Sequence, residues 1–142
     1  MDRPAHAGLR HLALHARDLD AMRRFYVDVL GFAVEWEPDP DNVYLSSGTD
    51  NLALHRATLS PADAASPPAG VSALDHLGLI VRTPGDVDQW AAFLESRGVE
   101  LAAKPRTHRD GARSCYFHDP DGNSVQIIFH PPISSKSEIL KS

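Results

Sequence analysis

Four side chains in this sequence fall on strand-like segments from which they can converge: His11, His55, His76 and Gln126. Imidazole is the commonest metal ligand and the usual proton carrier near neutral pH, and this small chain holds eight histidines. Gln126 lies in the middle of the apolar run NSVQIIF, where a buried amide must find a partner or lose free energy. Three imidazoles and an amide oxygen from four different strands suit a mononuclear metal. Cys115 is the one cysteine, so an internal disulfide and a Cys-rich zinc site are excluded.

Positioning these groups is the task of two similar halves. LRHLALHARDL at 9–19 and LDHLGLIVRTP at 74–84 each alternate apolar and other residues around a histidine in third place, and a period of two marks strands. His11, Ala13 and His15 share one face against Leu12 and Leu14. His76, Gly78 and Ile80 oppose Leu77, Leu79 and Val81. Both histidines therefore point to the less greasy face. A helical pattern follows each strand. Asp18 and Asp20 open the first helix, with Met22, Phe25, Tyr26, Val29 and Leu30 as its apolar stripe and Gly31 as its stop; Val87, Trp90, Ala91 and Leu94 run to Gly98 in the second.

Three further strands complete each half: FAVEWEP, VYLSSG and NLALHRA, then VELAAKP, SCYFHD and NSVQIIFHP. The prediction is an α+β protein of two βαβββ modules, residues 8–59 and 73–131, in one domain spanning 1–142. The Pro-, Ala- and Ser-rich stretch at 60–72 reads as a linker, and 132–142 as a loosely attached tail. A module of about 60 residues with a helix on one sheet face leaves the other face uncovered, so the two bare faces are expected to meet around a partly polar cavity. Val125, Ile127 and Phe129 belong to the helix side, which turns Ser124, Gln126 and Ile128 inward. Leu52 and Leu54 do the same for Ala53 and His55. Matching His55 to Gln126 requires a slip of one residue between the halves.

The composition, 42% hydrophobic and 23% charged with a net charge of −5, excludes some partners. Scattered basic residues give no stripe for phosphate backbones, so nucleic acid is not expected. No run of about 18 apolar residues appears, and MDRPAHAGLR carries no charged-then-apolar leader. The expectation is a cytoplasmic protein without a membrane partner. His6, His118 and His130 read as surface residues.

Paired βαβββ modules, a histidine at each module's start and the closing YFHDPDGNSVQII together resemble the vicinal oxygen chelate superfamily, which includes glyoxalase I, extradiol dioxygenases and bleomycin-binding proteins. The likeness covers residues 8–131. It implies a curved, half-open barrel and one divalent metal on His11 and His76, with Gln126 completing the set where the family usually carries glutamate. By the same likeness His55 and Tyr116 are catalytic, and His108 lies near a further histidine of extradiol enzymes. His15, Tyr44 and His108 are expected to meet substrate. Three activities follow from it: extradiol cleavage of a catechol with Fe2+; a glyoxalase-like lyase or isomerase using Zn2+, Ni2+, Mn2+ or Co2+; or metal-free binding of a small molecule in a cleft lined by Trp36, Tyr44 or Phe32. A small-molecule substrate and a homodimer are the expected partners.

Overall fold

The computed structural model describes residues 1–3, 5, 7–58 and 74–136. The linker at 60–72, His6 and residues 137–142 of the tail lie outside them. The backbone divides into two compact units, Met1–Ala69 and Gly70–Ser142. Each is a mixed four-stranded sheet with a main helix after its first strand, which makes the chain α+β as expected.

The first unit runs β1 (His11–Ala16), α1 (Leu19–Arg24), β2 (Ala33–Asp39), β3 (Asn42–Ser46) and β4 (Asn51–Arg56). Its sheet order is β1-β4-β3-β2, with β1 parallel to β4 and the other pairs antiparallel. Asp18 caps α1 by accepting from the amide of Ala21 at 3.0 Å. The single helix expected from the spacing instead widens after Arg24 into a π-helical turn, Phe25–Val29, closed by a bond from the amide of Leu30 to the carbonyl of Phe25. Tyr26 and Leu30 stay in the core with Leu19 and Met22, whereas Phe25 and Val29 are left half-buried. Gly31, at a φ of 80°, then turns the chain away. Val43, Leu45, Leu52 and Leu54 supply the sheet side of this core. Each such side chain contributes about 1.5–3 kcal/mol by leaving water.

The second unit repeats the plan with β5 (Leu77–Ile80), α2 (Pro84–Ser96), β6 (Leu101–Thr107), β7 (Arg113–His118) and β8 (Ser124–Phe129), in the order β5-β8-β7-β6. Thr83 and Asp86 cap α2 reciprocally, at 3.2 and 2.9 Å, with Pro84 in the first helical position. Val87, Ala91 and Leu94 are buried on the helix side, and Cys115, Phe117, Val125 and Ile127 on the sheet side. The strand predicted from residue 74 begins only at Leu77, so His76 stands just before β5 rather than in it.

The turn Asp119-Pro120-Asp121-Gly122-Asn123 is structural, as its composition implies. Asp119, 4% exposed, accepts from the amides of Asp121 and Asn123 at 3.0 and 2.9 Å, while Gly122 takes a φ of 87°. The tail is not loose at its start. Pro131–Ser134 forms one turn, α3, and buried Ser134 donates from its hydroxyl to the carbonyl of Val81 at 2.7 Å. His118 is exposed, as predicted; His130, predicted at the surface, is half-buried beside that turn. Among the described residues no helix is long and apolar enough to cross a membrane.

Candidate active site

On the face of the first sheet away from α1, the parallel register sets His11 beside Asn51, Ala13 beside Ala53 and His15 beside His55. Strand β3 adds Asn42 next to His55 and Tyr44 next to Ala53, and β2 adds Trp36 next to Tyr44. His11 Nδ1 lies 2.8 Å from Asn51 Oδ1, and the Asn51 amide nitrogen donates to Glu35 at 3.2 Å. That second bond fixes which way the amide faces. Asn51 Oδ1 must accept, so Nδ1 of His11 carries the proton and Nε2 keeps its lone pair.

His55 is built in the same way. Its Nδ1 is 2.6 Å from Asn42 Oδ1, and the Asn42 nitrogen donates to both carboxylate oxygens of Asp39, at 2.9 and 3.0 Å. Nε2 of His55 is again the open nitrogen. The ring meets Tyr44 edge-on at 5.7 Å, and Tyr44 stacks on Trp36 at 5.0 Å. Trp36 is 59% exposed, so this aromatic pair presents a flat apolar surface next to the imidazole. His15 is exposed on the same face and has no hydrogen-bond partner among the described residues.

In the second sheet the register brings Gly78 and Tyr116 to either side of Gln126. The Gln126 amide nitrogen donates to Tyr116 Oη at 2.7 Å. Its carbonyl oxygen lies over Gly78, where an added Cβ would come within 3.5 Å of it. That is an ordinary van der Waals separation, so a methyl group at 78 would touch the amide without displacing it. His76 meets the Tyr116 ring edge-on at 5.5 Å, and its Nδ1 is 2.5 Å from the Asp75 carboxylate, so here too Nε2 is the open nitrogen. His76, Tyr116 and Gln126 thus form one cluster. Gln126 is 7% exposed, and the amide in the apolar strand has its partner in the tyrosine hydroxyl.

His108 differs from these. It follows β6, its Nδ1 accepts from Arg106 at 3.3 Å, and its Nε2 donates to Ser114 at 3.0 Å. Both ring nitrogens are occupied within the β6–β7 hairpin, so neither is left to meet a substrate as expected.

The register corrects the expected one-residue slip between halves. With His11 and His76 as equivalent starts, the counterpart of Gln126 is Ala53, and His55 falls two residues further along, at the counterpart of Ile128. The first unit therefore offers a methyl group where the second offers an amide. Among the described residues no three of the types His, Cys, Asp and Glu form a group that could hold a metal ion. The donors left open are Nε2 of His11 in the first unit and, in the second, Nε2 of His76 and the carbonyl oxygen of Gln126, each of a type that a divalent ion accepts. The residues that sequence reading missed are those behind the imidazoles: Asn51, Glu35, Asn42, Asp39 and Asp75. Asp75 was legible as the neighbour of His76; the amides become visible only through strand register.

Residues 8–127 match the family model described as the Glyoxalase/Bleomycin resistance protein/Dioxygenase superfamily. The chain is 33% identical over 123 residues to biphenyl-2,3-diol 1,2-dioxygenase 3 of Rhodococcus globerulus, a match covering 84% of this chain and 61% of the relative, so it spans about three fifths of that enzyme's length. It is 32% identical to virulence protein STM3117 of Salmonella typhimurium, over 82% of this chain and 80% of the relative. The crystal structure of lactoylglutathione lyase from Agrobacterium tumefaciens superposes with a TM-score of 0.72 at 26% identity, over 89% of this chain and 96% of that one. With a family match across nearly its whole length and a fold shared with such structures, this chain belongs to the glyoxalase, bleomycin resistance protein and dioxygenase superfamily.

Proposed function

We propose that the protein is a metal-dependent enzyme acting on a small substrate with two neighbouring oxygens, and that its reaction is extradiol cleavage of a catechol. In this reading residues 8–59 and 73–131, joined by 60–72, form one cytoplasmic domain, and the chain works as a homodimer. His11 and His76 hold one divalent ion through Nε2, and Gln126 completes the set through its carbonyl oxygen. The observation that carries the reading is the shared state of the two imidazoles: in each, Nδ1–H is tied down and Nε2 is left bare.

When bound, the ion supplies positive charge that lowers the pKa of the substrate hydroxyls and, as Fe2+, the capacity to react with dioxygen. The chain's own groups do the rest. Nε2 of His55 accepts a hydroxyl proton while Asn42 holds its Nδ1–H. Tyr116 Oη receives the Gln126 N–H and directs its own hydrogen to the oxygen on which charge develops. Trp36, Tyr44 and His15 line the substrate's side, and His108 braces the hairpin that carries Tyr116.

A second reading, a glyoxalase-like lyase or isomerase with Zn2+, Ni2+, Mn2+ or Co2+, draws support from Gln126 itself. An amide brings one negative charge fewer than the carboxylate of the usual two-histidine, one-carboxylate iron triad. Loading the purified chain separately with Fe2+ and Ni2+, then measuring oxygen uptake with catechol and biphenyl-2,3-diol and lyase turnover with the methylglyoxal–glutathione hemithioacetal, separates the two. Oxygen uptake with iron supports the first. Lyase turnover alone moves the assignment to the second, and failure to bind either metal sinks both.

A further inference from the structure

We infer that Asn42, held by Asp39, is a positioning residue that fixes which nitrogen of His55 is free to take a proton. The inference rests on the reading of His55 as the base. Its geometry is a chain of three groups: carboxylate, amide, imidazole. Asp39 accepts both contacts of the Asn42 nitrogen, which forces the Asn42 carbonyl oxygen toward Nδ1 of His55 at 2.6 Å. A neutral imidazole in water favours the proton on Nε2, which would blunt that nitrogen as a base. The amide oxygen reverses the preference by rewarding the Nδ1–H form, and because the amide is neutral it does so without placing a negative charge on the ring.

The platform for this chain is the β2–β3 turn, Asp39-Pro40-Asp41-Asn42. Asp39 Oδ1 also accepts from the amide of Asp41 at 2.8 Å. Arg56, the residue after His55, grips the far side of the turn through Asp41 Oδ1 at 2.8 Å and the carbonyl of Pro40 at 3.1 Å. Its own amide donates to the carbonyl of Asp41 at 2.8 Å. Turn and histidine are thus locked from both strands, and Tyr44 closes the ring's edge at 5.7 Å. His15, opposite His55 in the register, has no such support among the described residues.

The test reads the tautomer directly. Two-bond 1H–15N correlation spectra of the full chain, with the His55 signals assigned from the His55→Gln variant, report which ring nitrogen is protonated in the neutral form. The wild type is expected to show Nδ1–H, Asn42→Leu to show mainly Nε2–H, and the exchanged pair Asp39→Asn with Asn42→Asp to restore Nδ1–H. With whichever substrate the wild type turns over, Asn42→Leu is expected to lower kcat by about 10–100-fold, the scale of lost outer-shell support, with KM little changed and recovery in the exchanged pair. Nε2–H in the wild type overturns the inference, as does a reversed tautomer in Asn42→Leu with undiminished kcat. A chain inactive on both substrate classes that still shows the expected tautomers overturns the proposed reaction and leaves this assignment standing.

Discussion

The two sheets share strand order and register but present different chemistry at equivalent places. Tyr44 and Tyr116 occupy matching positions beside Ala53 and Gln126, and His55 and Asn42 stand where the second sheet has Ile128 and Ser114. In the first unit His11 and His55 each reach a carboxylate through an amide, by Asn51 to Glu35 and by Asn42 to Asp39; in the second, His76 meets Asp75 directly. The difference has a physical meaning. An interposed amide oxygen selects the Nδ1–H tautomer without bringing a negative charge to the ring, whereas a carboxylate brings one. One repeated frame thus carries imidazole–amide–carboxylate chains in one sheet and an imidazole–carboxylate pair in the other by changing a few inward residues.

The sharpest way to break this division is to remove one histidine from each sheet. If the units contribute to one ion, His76→Ala and His11→Ala should each lower affinity for a divalent metal by about 100-fold or more, beyond the 10–100-fold typical of outer-shell losses. Calorimetry and elemental analysis of the full chain measure this. A loss confined to His76→Ala would assign the ion to the second sheet alone and make His11 a substrate contact or a structural residue.

Gln126→Glu sharpens the same contrast with a smaller effect. It restores a carboxylate at the position where Ala53 offers only a methyl group, so metal should bind at least about tenfold more tightly, comparable with the lower end of outer-shell effects. Unchanged affinity would mean that the side chain at 126 does not touch the ion.

The matched tyrosines give the next comparison. Tyr116→Phe strips the acceptor from the amide nitrogen of Gln126, itself only 7% exposed, and should cost about 1–3 kcal/mol of stability. Tyr44 makes ring contacts with Trp36 and His55 and no hydrogen bond through its hydroxyl among the described residues, so Tyr44→Phe should stay within about 0.5 kcal/mol. Urea unfolding of the two variants in parallel decides it. Equal losses would mean that the Gln126–Tyr116 bond does no more for the fold than an aromatic contact.

Much of this frame was legible in the sequence, because alternation assigns faces and repeats align. Leu12 with Leu14, Val125 with Ile127, and the stops at Gly31 and Gly98 follow from period and turn chemistry alone, and the pairing of Gln126 with a polar neighbour follows from its place in an apolar run. What escaped depends on distance across strands. The offset between β1 and β4 is set by turn length and side-chain packing, so Ala53 rather than His55 as the counterpart of Gln126 could not be counted off. The amides of Asn42 and Asn51 carry no signal of their own in the sequence; the strand register is what sets them against imidazoles. The π-helical turn had no signal either, since Phe25 and Val29 fit an α-helical stripe as well as they fit the wider turn.

The smallest expected effect concerns how the second sheet is tied to its helix. Arg113 on β7 bonds both carboxylate oxygens of Asp88 on α2, at 2.9 and 2.6 Å, and this contact holds the Asp88 carboxyl below its ordinary range. A carboxyl whose pKa is depressed by folding binds protons more readily in the unfolded chain. Its stabilising contribution is therefore present above the ordinary aspartate value of about 3.9 and fades as pH falls through the lower, folded value. Asp88→Asn should lower the urea midpoint slightly at pH 7, and the gap from wild type should close as the pH is taken below about 3.9. Because both partners face solvent, salt should shrink it as well. A gap that keeps its size across that range would trace the loss to helix packing or capping in α2 rather than to the charge pair.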